Sequence, residues 1–229
     1  MAKLPVVALD GPAGAGKSTV ARRLADALGF VLLDTGAIYR TVALAAEREG
    51  VALSDAAGVS RIAARVAEKG RLALTTTEAG TRVVLDGEDV SIAIRTPEIS
   101  RGASLVSAVP GVRDALLALQ RAFAAEGGVV MEGRDIGTVV APEARAKFFV
   151  TASAAVRARR RWEELRARGA DVSFDATLLE VVSRDEADEG RTVAPLKPAA
   201  DAEIVDTSTL GIDEVVAHLV ERVRALSAR

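Results

Sequence analysis

The chain contains no cysteine, which excludes disulfides and thiolate metal sites. Its single histidine, His218, leaves no imidazole cluster for zinc and no partner for a Ser/His triad. No charge of one sign dominates: 30 basic residues stand against 32 acidic ones, for a formal charge of −2, so no global field recruits nucleic acid. No stretch approaches the ~20 apolar residues of a membrane span, and the apolar run between Met1 and Leu9 is too short for a signal peptide. A soluble, cytoplasmic protein without membrane or nucleic-acid partners is the expectation. Lysine is also scarce, at positions 3, 17, 69, 147 and 197 only. Where this sequence needs positive charge it uses arginine, which makes the lysine at 17 informative. Any chemistry must come from carboxylates, Arg, Lys and hydroxyls.

What is present is ordinary globular material. The chain has 229 residues, 49% of them hydrophobic and 27% charged, enough for one domain that buries roughly 70% of its unfolded surface. Val6 to Leu9 reads as a buried strand, followed by a glycine-rich turn and a helix with Val20, Leu24 and Leu28 at four-residue spacing, ended by Gly29. Phe30 to Leu33 repeats the strand, and Ile38 to Glu49 and Asp55 to Glu68 read as helices. Strand alternating with helix predicts a parallel sheet covered on both faces. Residues 71–95 break the rhythm: Leu72 to Leu74, a turn at Glu78-Ala79-Gly80, Val83 to Leu85, Asp86-Gly87, then Val90 to Ile94 predict a small antiparallel insertion. Thr96-Pro97 and Pro110 open two helices. Short strands at Val129–Met131, Phe148–Val150 and Ile204–Val205 complete five, and helices of about 154–168, 174–187 and 212–227 fill the remainder. The expected fold is a three-layer α/β domain with a five-stranded parallel sheet, an inserted β subdomain and a short helical lid.

Between the first strand and the first helix lies Gly11-Pro12-Ala13-Gly14-Ala15-Gly16-Lys17-Ser18, followed by Thr19. It fits G-x-x-x-x-G-K-[ST] in the strand-loop-helix context that the chemistry requires. The glycines let backbone N–H groups turn inward as an anion nest, reinforced by the helix N-terminus. Lys17 would reach the β- and γ-phosphates of ATP, and the Ser18 hydroxyl would ligate Mg²⁺. The competing reading is a glycine-rich connection without a ligand, and a phosphate loop alone does not separate a kinase from a switch protein.

A small-molecule kinase needs a second anionic pocket for its acceptor, and planar guanidinium forks suit it. Candidates are Arg40, Arg134, Arg184 and Arg191. Arg184, Asp188 and Arg191 fall on one stripe if a helix continues that far, although such a stripe is also what a solvated salt-bridge ladder looks like.

Four segments together resemble the bacterial cytidylate kinase family: Leu9 to Thr19, Leu32 to Arg40, Glu132 to Val140, and Arg184 to Leu196. They occur in that family's order across the chain, and the insertion at 71–95 resembles the three-stranded addition of its bacterial members. The resemblance implies transfer of the γ-phosphoryl group of ATP to CMP and dCMP, with Mg²⁺; a monomer is expected. It places Gly11 to Thr19 on ATP, and Thr35, Tyr39 and Arg40 beside the monophosphate. Ser104, Arg113 and Asp135 face cytosine, Arg134 and Arg191 hold the acceptor phosphate, and Arg184 and Asp188 reach the sugar. Arg157, Arg160 and Arg161 match the lid arginines that close over the transferring group, with a solvated helix face as the plainer reading of that run; Arg159 has no assignment. Glu132, where an aspartate is common, would reach Mg²⁺ through water. Thr35 stands where many members have serine, and Ala187 where some have arginine. The division implied is a core of about 1–50, 127–155 and 196–229, a monophosphate-binding region of about 35–126 and a lid of about 156–170. The alternatives are another P-loop kinase acting on UMP, AMP or shikimate, and a nucleotide switch. No N-K-x-D base-reading motif of a switch protein is present.

Overall fold

A computed structural model describes residues 4–77 and 80–227. The central sheet has five parallel strands in the order β2-β6-β1-β7-β8: β1 (Val6–Asp10), β2 (Val31–Asp34), β6 (Val129–Gly133), β7 (Ala146–Thr151) and β8 (Glu203–Asp206). The chain leaves β1 for the edge strand β2, returns to insert β6 between them, and then builds outward on the other side. Both neighbours of β1 therefore arrive late in the sequence, and the crevice beyond its carboxyl end is where ligands bind in such sheets.

Side chains alternate between two cores, as the pleat demands. Ala8, Met131 and Val129 join one cluster with α2 (Thr35–Arg48), α3 (Ala56–Val66), α4 (Pro97–Val106) and α5 (Pro110–Glu126). Val7, Leu9 and Val130 join the other with α1 (Lys17–Leu28) and α8 (Ile212–Ser227). The helix ends follow local chemistry: Thr96 caps α4 by accepting from Ile99 N with Pro97 in the first turn, and Asp55 caps α3 from Gly58 N. Gly29 ends α1 at φ 68°, with Phe30 N donating to Ala25 O at 2.9 Å.

The insertion is a three-stranded antiparallel sheet, β3 (Leu72–Thr77), β4 (Gly80–Leu85) and β5 (Glu88–Asp89). Its third strand is earlier and shorter than the expected Val90–Ile94. Asp86 at φ 51° and Gly87 at φ 85° turn the chain so tightly that pairing starts at Glu88; Val90 and Ile94 are then buried while Ala93–Arg95 forms a 3-10 turn. The expected turn at Glu78-Ala79-Gly80 falls largely outside the described residues. Thr76 of β3 accepts the Leu32 N–H at 3.2 Å, so the insertion covers an otherwise open sheet edge.

Helices α6 (Ala154–Ala167) and α7 (Phe174–Glu189) pack as a hairpin over the carboxyl end of the sheet. Arg159, without a role in the sequence reading, lies over the rings of Trp162 and Phe174 at 5.4 and 4.6 Å and staples this hairpin. Among the described residues no single helix is long and apolar enough to cross a membrane.

Two glycines separate conformational from steric need. Gly29 has positive φ and nothing within 4 Å of a built Cβ, so Gly29→Ala should cost only about 1–2 kcal/mol. Gly11, at φ 145°, would drive a Cβ to 1.9 Å from Val150 O; Gly11→Ala should cost more than about 3 kcal/mol. Urea unfolding of both variants measures the difference, and similar losses would rule out the close approach of β7 as the reason for Gly11.

Candidate active site

The loop after β1 turns through Gly11, Gly14 and Gly16, all at positive φ. Gly16 precedes α1 without a side-chain cap, which leaves the first-turn N–H groups of that helix available to an anion. Ala13, Gly14, Gly16, Lys17, Ser18 and Thr19 line a cleft of about 580 Å³. Gly11, Pro12 and Ala15 support the loop from behind, and the Pro12 carbonyl accepts from Lys17 Nζ at 2.6 Å. Ser18 Oγ donates to Glu132 Oε1 at 2.7 Å, bringing the ends of α1 and β6 together.

The electrostatics of this end are set by burial. Lys17 is enclosed, and desolvation followed by the charge of Arg134 pushes its ammonium down to about 7. Burial and then the Asp34 charge push the Glu132 carboxyl up. Asp10, at the end of β1, is pushed up to about 6 by burial although it accepts backbone N–H groups from Ile136 and Gly137.

Across the cleft the arginines gather around few carboxylates. Asp188 on α7 takes Arg134 Nε at 2.9 Å and pairs with Arg191. The helix ends at Glu189, so Arg191 lies beyond the stripe that Arg184 and Asp188 share; it still reaches Asp188, and the chain after it folds back so that Leu196 N donates to the Asp188 carbonyl. Burial would raise the Asp188 carboxyl, but Arg134 and Arg191 hold it below the usual range. Arg184 lines the same cleft, lowered by burial and then by Arg134 to about 10. Three guanidiniums thus face one carboxylate, leaving an excess of positive charge suited to a phosphate ester.

Thr35 donates to the Glu132 carbonyl at 2.7 Å, and Arg40 pairs with Asp34 at 2.6 Å. Arg113 and Asp135 form a buried ion pair, with the Arg113 guanidinium 5.6 Å above the Tyr39 ring and Ser104 on the same wall. Three buried polar atoms of this cleft lack partners: Arg40 Nε, Arg184 Nε and Glu132 Oε2. Such orphans in a well-formed cleft mark positions for ligand atoms.

The three arginines expected in a lid divide. Arg160 and Arg161 line the cleft, Arg160 donating to Thr207 O at 2.7 Å and Arg161 pairing with Glu164. Arg157 departs from the sequence expectation. It is 5% exposed, donates to Ala152 O and Ala13 O, and pairs with Asp185 of α7. One guanidinium nitrogen reaches the loop at Ala13 O while the others hold Ala152 O and Asp185, and the first turn of α6 abuts Gly14; in this structure it is a strut between loop and hairpin.

The family model described as cytidylate kinase matches residues 7–225. The chain belongs to the cytidylate kinase family. It is 54% identical over 225 residues to a cytidylate kinase of Pelotomaculum thermopropionicum, covering 98% of each chain. It is 50% identical to one of Syntrophotalea carbinolica, covering 94% of this chain and 90% of the relative. The crystal structure of an uncharacterized protein from Eubacterium ventriosum matches at a TM-score of 0.55 and 13% identity, covering 97% of this chain and 99% of that one; it shows the fold alone.

In this cytidylate kinase family member, sequence reasoning missed the residues that hold the named ones. Asp34, Asp10, Asp185 and Thr207 each fix a site group, and only the first offered a signal, as the Asp preceding a helix. The depressed Lys17 gives a test of this arrangement. Its ordinary pKa of 10.5 drops to about 7 on folding, so the unfolded state binds more protons and stability rises as pH rises from 7 towards 10.5. Lys17→Met should therefore raise the Tm of the protein at pH 7, with the gain shrinking as pH rises towards 10.5. A lower Tm at pH 7 would contradict the buried-charge account.

Proposed function

We propose that the cleft transfers the γ-phosphoryl group of ATP to CMP and dCMP, giving ADP and CDP or dCDP. The observation that carries this reading is one continuous cleft with two unlike anion sites: an uncapped helix N-terminus with Lys17 at one end, and three guanidiniums around Asp188 at the other. Gly11 to Thr19 would hold the ATP phosphates. Arg134 and Arg191 would hold the acceptor phosphate, Arg184 and Asp188 the sugar, and Thr35, Tyr39 and Arg40 the wall beside it. Asp135, an acceptor when ionised, would take the cytosine amine and face the uracil carbonyl lone pair to lone pair, with Arg113 and Ser104 completing the base site.

Ser18 Oγ and the free Glu132 Oε2 are hard oxygen donors suited to Mg²⁺. Among the described residues no group of three or more His, Cys, Asp or Glu stands ready to hold a metal alone; a kinase Mg²⁺ is held largely by waters and substrate phosphates. The ion would neutralise charge on those phosphates. Ser18 can keep donating to Glu132 while its lone pair faces the ion, so the carboxylate orients the hydroxyl.

The reaction needs little covalent help from the chain: in-line transfer requires alignment and stabilisation of charge on the equatorial oxygens. Lys17, Arg160 and Arg161 supply the latter, and closure of the region about 156–170 and of the monophosphate region about 35–126 would exclude water. Arg157 would act as the strut described above. A cytoplasmic monomer that binds neither nucleic acid nor membrane fits this small-molecule chemistry.

A coupled ADP-release assay with CMP, dCMP, UMP, AMP and shikimate tests the reading. Turnover should require CMP or dCMP; ATP consumption independent of any acceptor would overturn it. Within the site, Arg134→Ala and Arg191→Ala should each raise KM for CMP about tenfold or more, since each removes a charge-assisted bond, while KM for ATP stays within about twofold. A rise confined to ATP would mean the two halves are assigned the wrong way round.

A further inference from the structure

Asp135 sits where an aspartate ordinarily caps a helix. It immediately precedes a single π turn, Ile136–Val140, yet makes no side-chain bond to it. An aspartate there normally turns back onto the free N–H groups of the first turn. Its carboxylate instead pairs with Arg113 beside the cleft.

The reason lies on the neighbouring strand. Asp10 accepts Ile136 N on Oδ1 and Gly137 N on Oδ2, both at 2.8 Å, and so occupies the two N–H groups next to Asp135. Register makes this reach possible, because Asp10 lies opposite Gly133 at the ends of β1 and β6. Asp10 is 4% exposed, and a carboxylate so enclosed is costly to keep unless its bonds matter. The residue after it begins the phosphate loop.

We infer that Asp10 is a positioning residue for acceptor-base selection: by capping the Ile136–Val140 turn from β1, it releases the Asp135 carboxylate to pair with Arg113 and face the cleft. The inference rests on the reading of Asp135 as the partner of the cytosine amine. Without Asp10, two buried N–H groups lose their acceptors, and Asp135 is the adjacent carboxylate that can satisfy them. Arg113 then faces the base unpaired. A guanidinium donates only, so the pocket turns from favouring the cytosine amine towards favouring the uracil carbonyl.

The test is kcat/KM for CMP and UMP in wild type, Asp10→Ala, Asp10→Asn, Asp135→Asn and the double variant Asp10→Ala/Asp135→Asn. The CMP-to-UMP ratio cancels damage to the ATP site, which both acceptors share. Asp10→Ala should narrow the ratio about tenfold, Asp10→Asn by less because one acceptor remains, and the double variant no further than Asp135→Asn alone. Loss of rate on both acceptors in equal proportion, with the ratio unchanged, would overturn the inference and leave Asp10 a structural cap. If Asp10→Ala does not fold, Asp10→Asn carries the same comparison. A ratio moved by Asp135→Asn but not by Asp10 variants defeats the inference alone; a ratio moved by neither defeats the base reading as well.

Discussion

Positive charge held out of water before its anions arrive is the condition to which this structure is fitted. The cleft gathers Lys17, Arg134, Arg184 and Arg191 with Arg40 and Arg113 into one enclosed space. Each such charge is expensive to bury unpaired. The carboxylates around them are placed accordingly: Asp34 on Arg40, Asp135 on Arg113, and Asp188 shared by Arg134 and Arg191. These pairs hold the guanidiniums in fixed directions, and on the function proposed above the remaining excess of charge would draw two phosphate esters together against their own repulsion.

The sheet makes that arrangement possible because its parallel strands deliver their carboxyl ends to one edge. Asp10, Asp34 and Glu132 are all at or near strand ends on this side. Thr35 and Ser18 then reach Glu132 from two different helices, so β6, inserted late between β1 and β2, is clamped to both the loop of β1 and the helix after β2. A single strand thereby ties the phosphate-loop half of the cleft to the arginine-rich half.

Much of this was legible in the sequence, for local reasons. The phosphate loop declares itself through glycines whose positions are fixed by backbone conformation, and the helix starts at Thr96 and Pro110 follow from capping and proline geometry. The strands could be read because buried parallel strands are continuous apolar runs. What escaped depends on residues far apart in the chain. Arg157 reads like its neighbours Arg160 and Arg161, and only the approach of α6 to Gly14 separates it from them. The π turn at Ile136–Val140 has no periodicity to announce it, and its cap comes from Asp10, 126 residues away. The short third strand of the insertion misled because Val90 and Ile94 look like strand residues but are buried for packing, after the chain has left the sheet.

The single lysine among the cleft's cations completes the pattern. A guanidinium stays charged in a protein, so each buried arginine needs either a carboxylate or enough residual solvation to keep its proton, as Arg184 does with a pKa lowered only to about 10. An ammonium has a third course: it can lose the proton. Lys17, with its pKa pushed down to about 7 by burial and then by the charge of Arg134, is placed to change its charge near neutral pH. The Pro12 carbonyl holds its nitrogen, and Glu132 and Asp10 act on its charge from nearby. On the function proposed above, a carboxylate clamped onto Lys17 would have to be displaced by each ATP, whereas Asp135 and Asp188 engage only part of the guanidiniums of Arg113, Arg134 and Arg191. On that same function, lysine at 17 in an arginine-rich chain answers to where the incoming phosphate would bind: directly at a charge held by a carbonyl and not by a salt bridge.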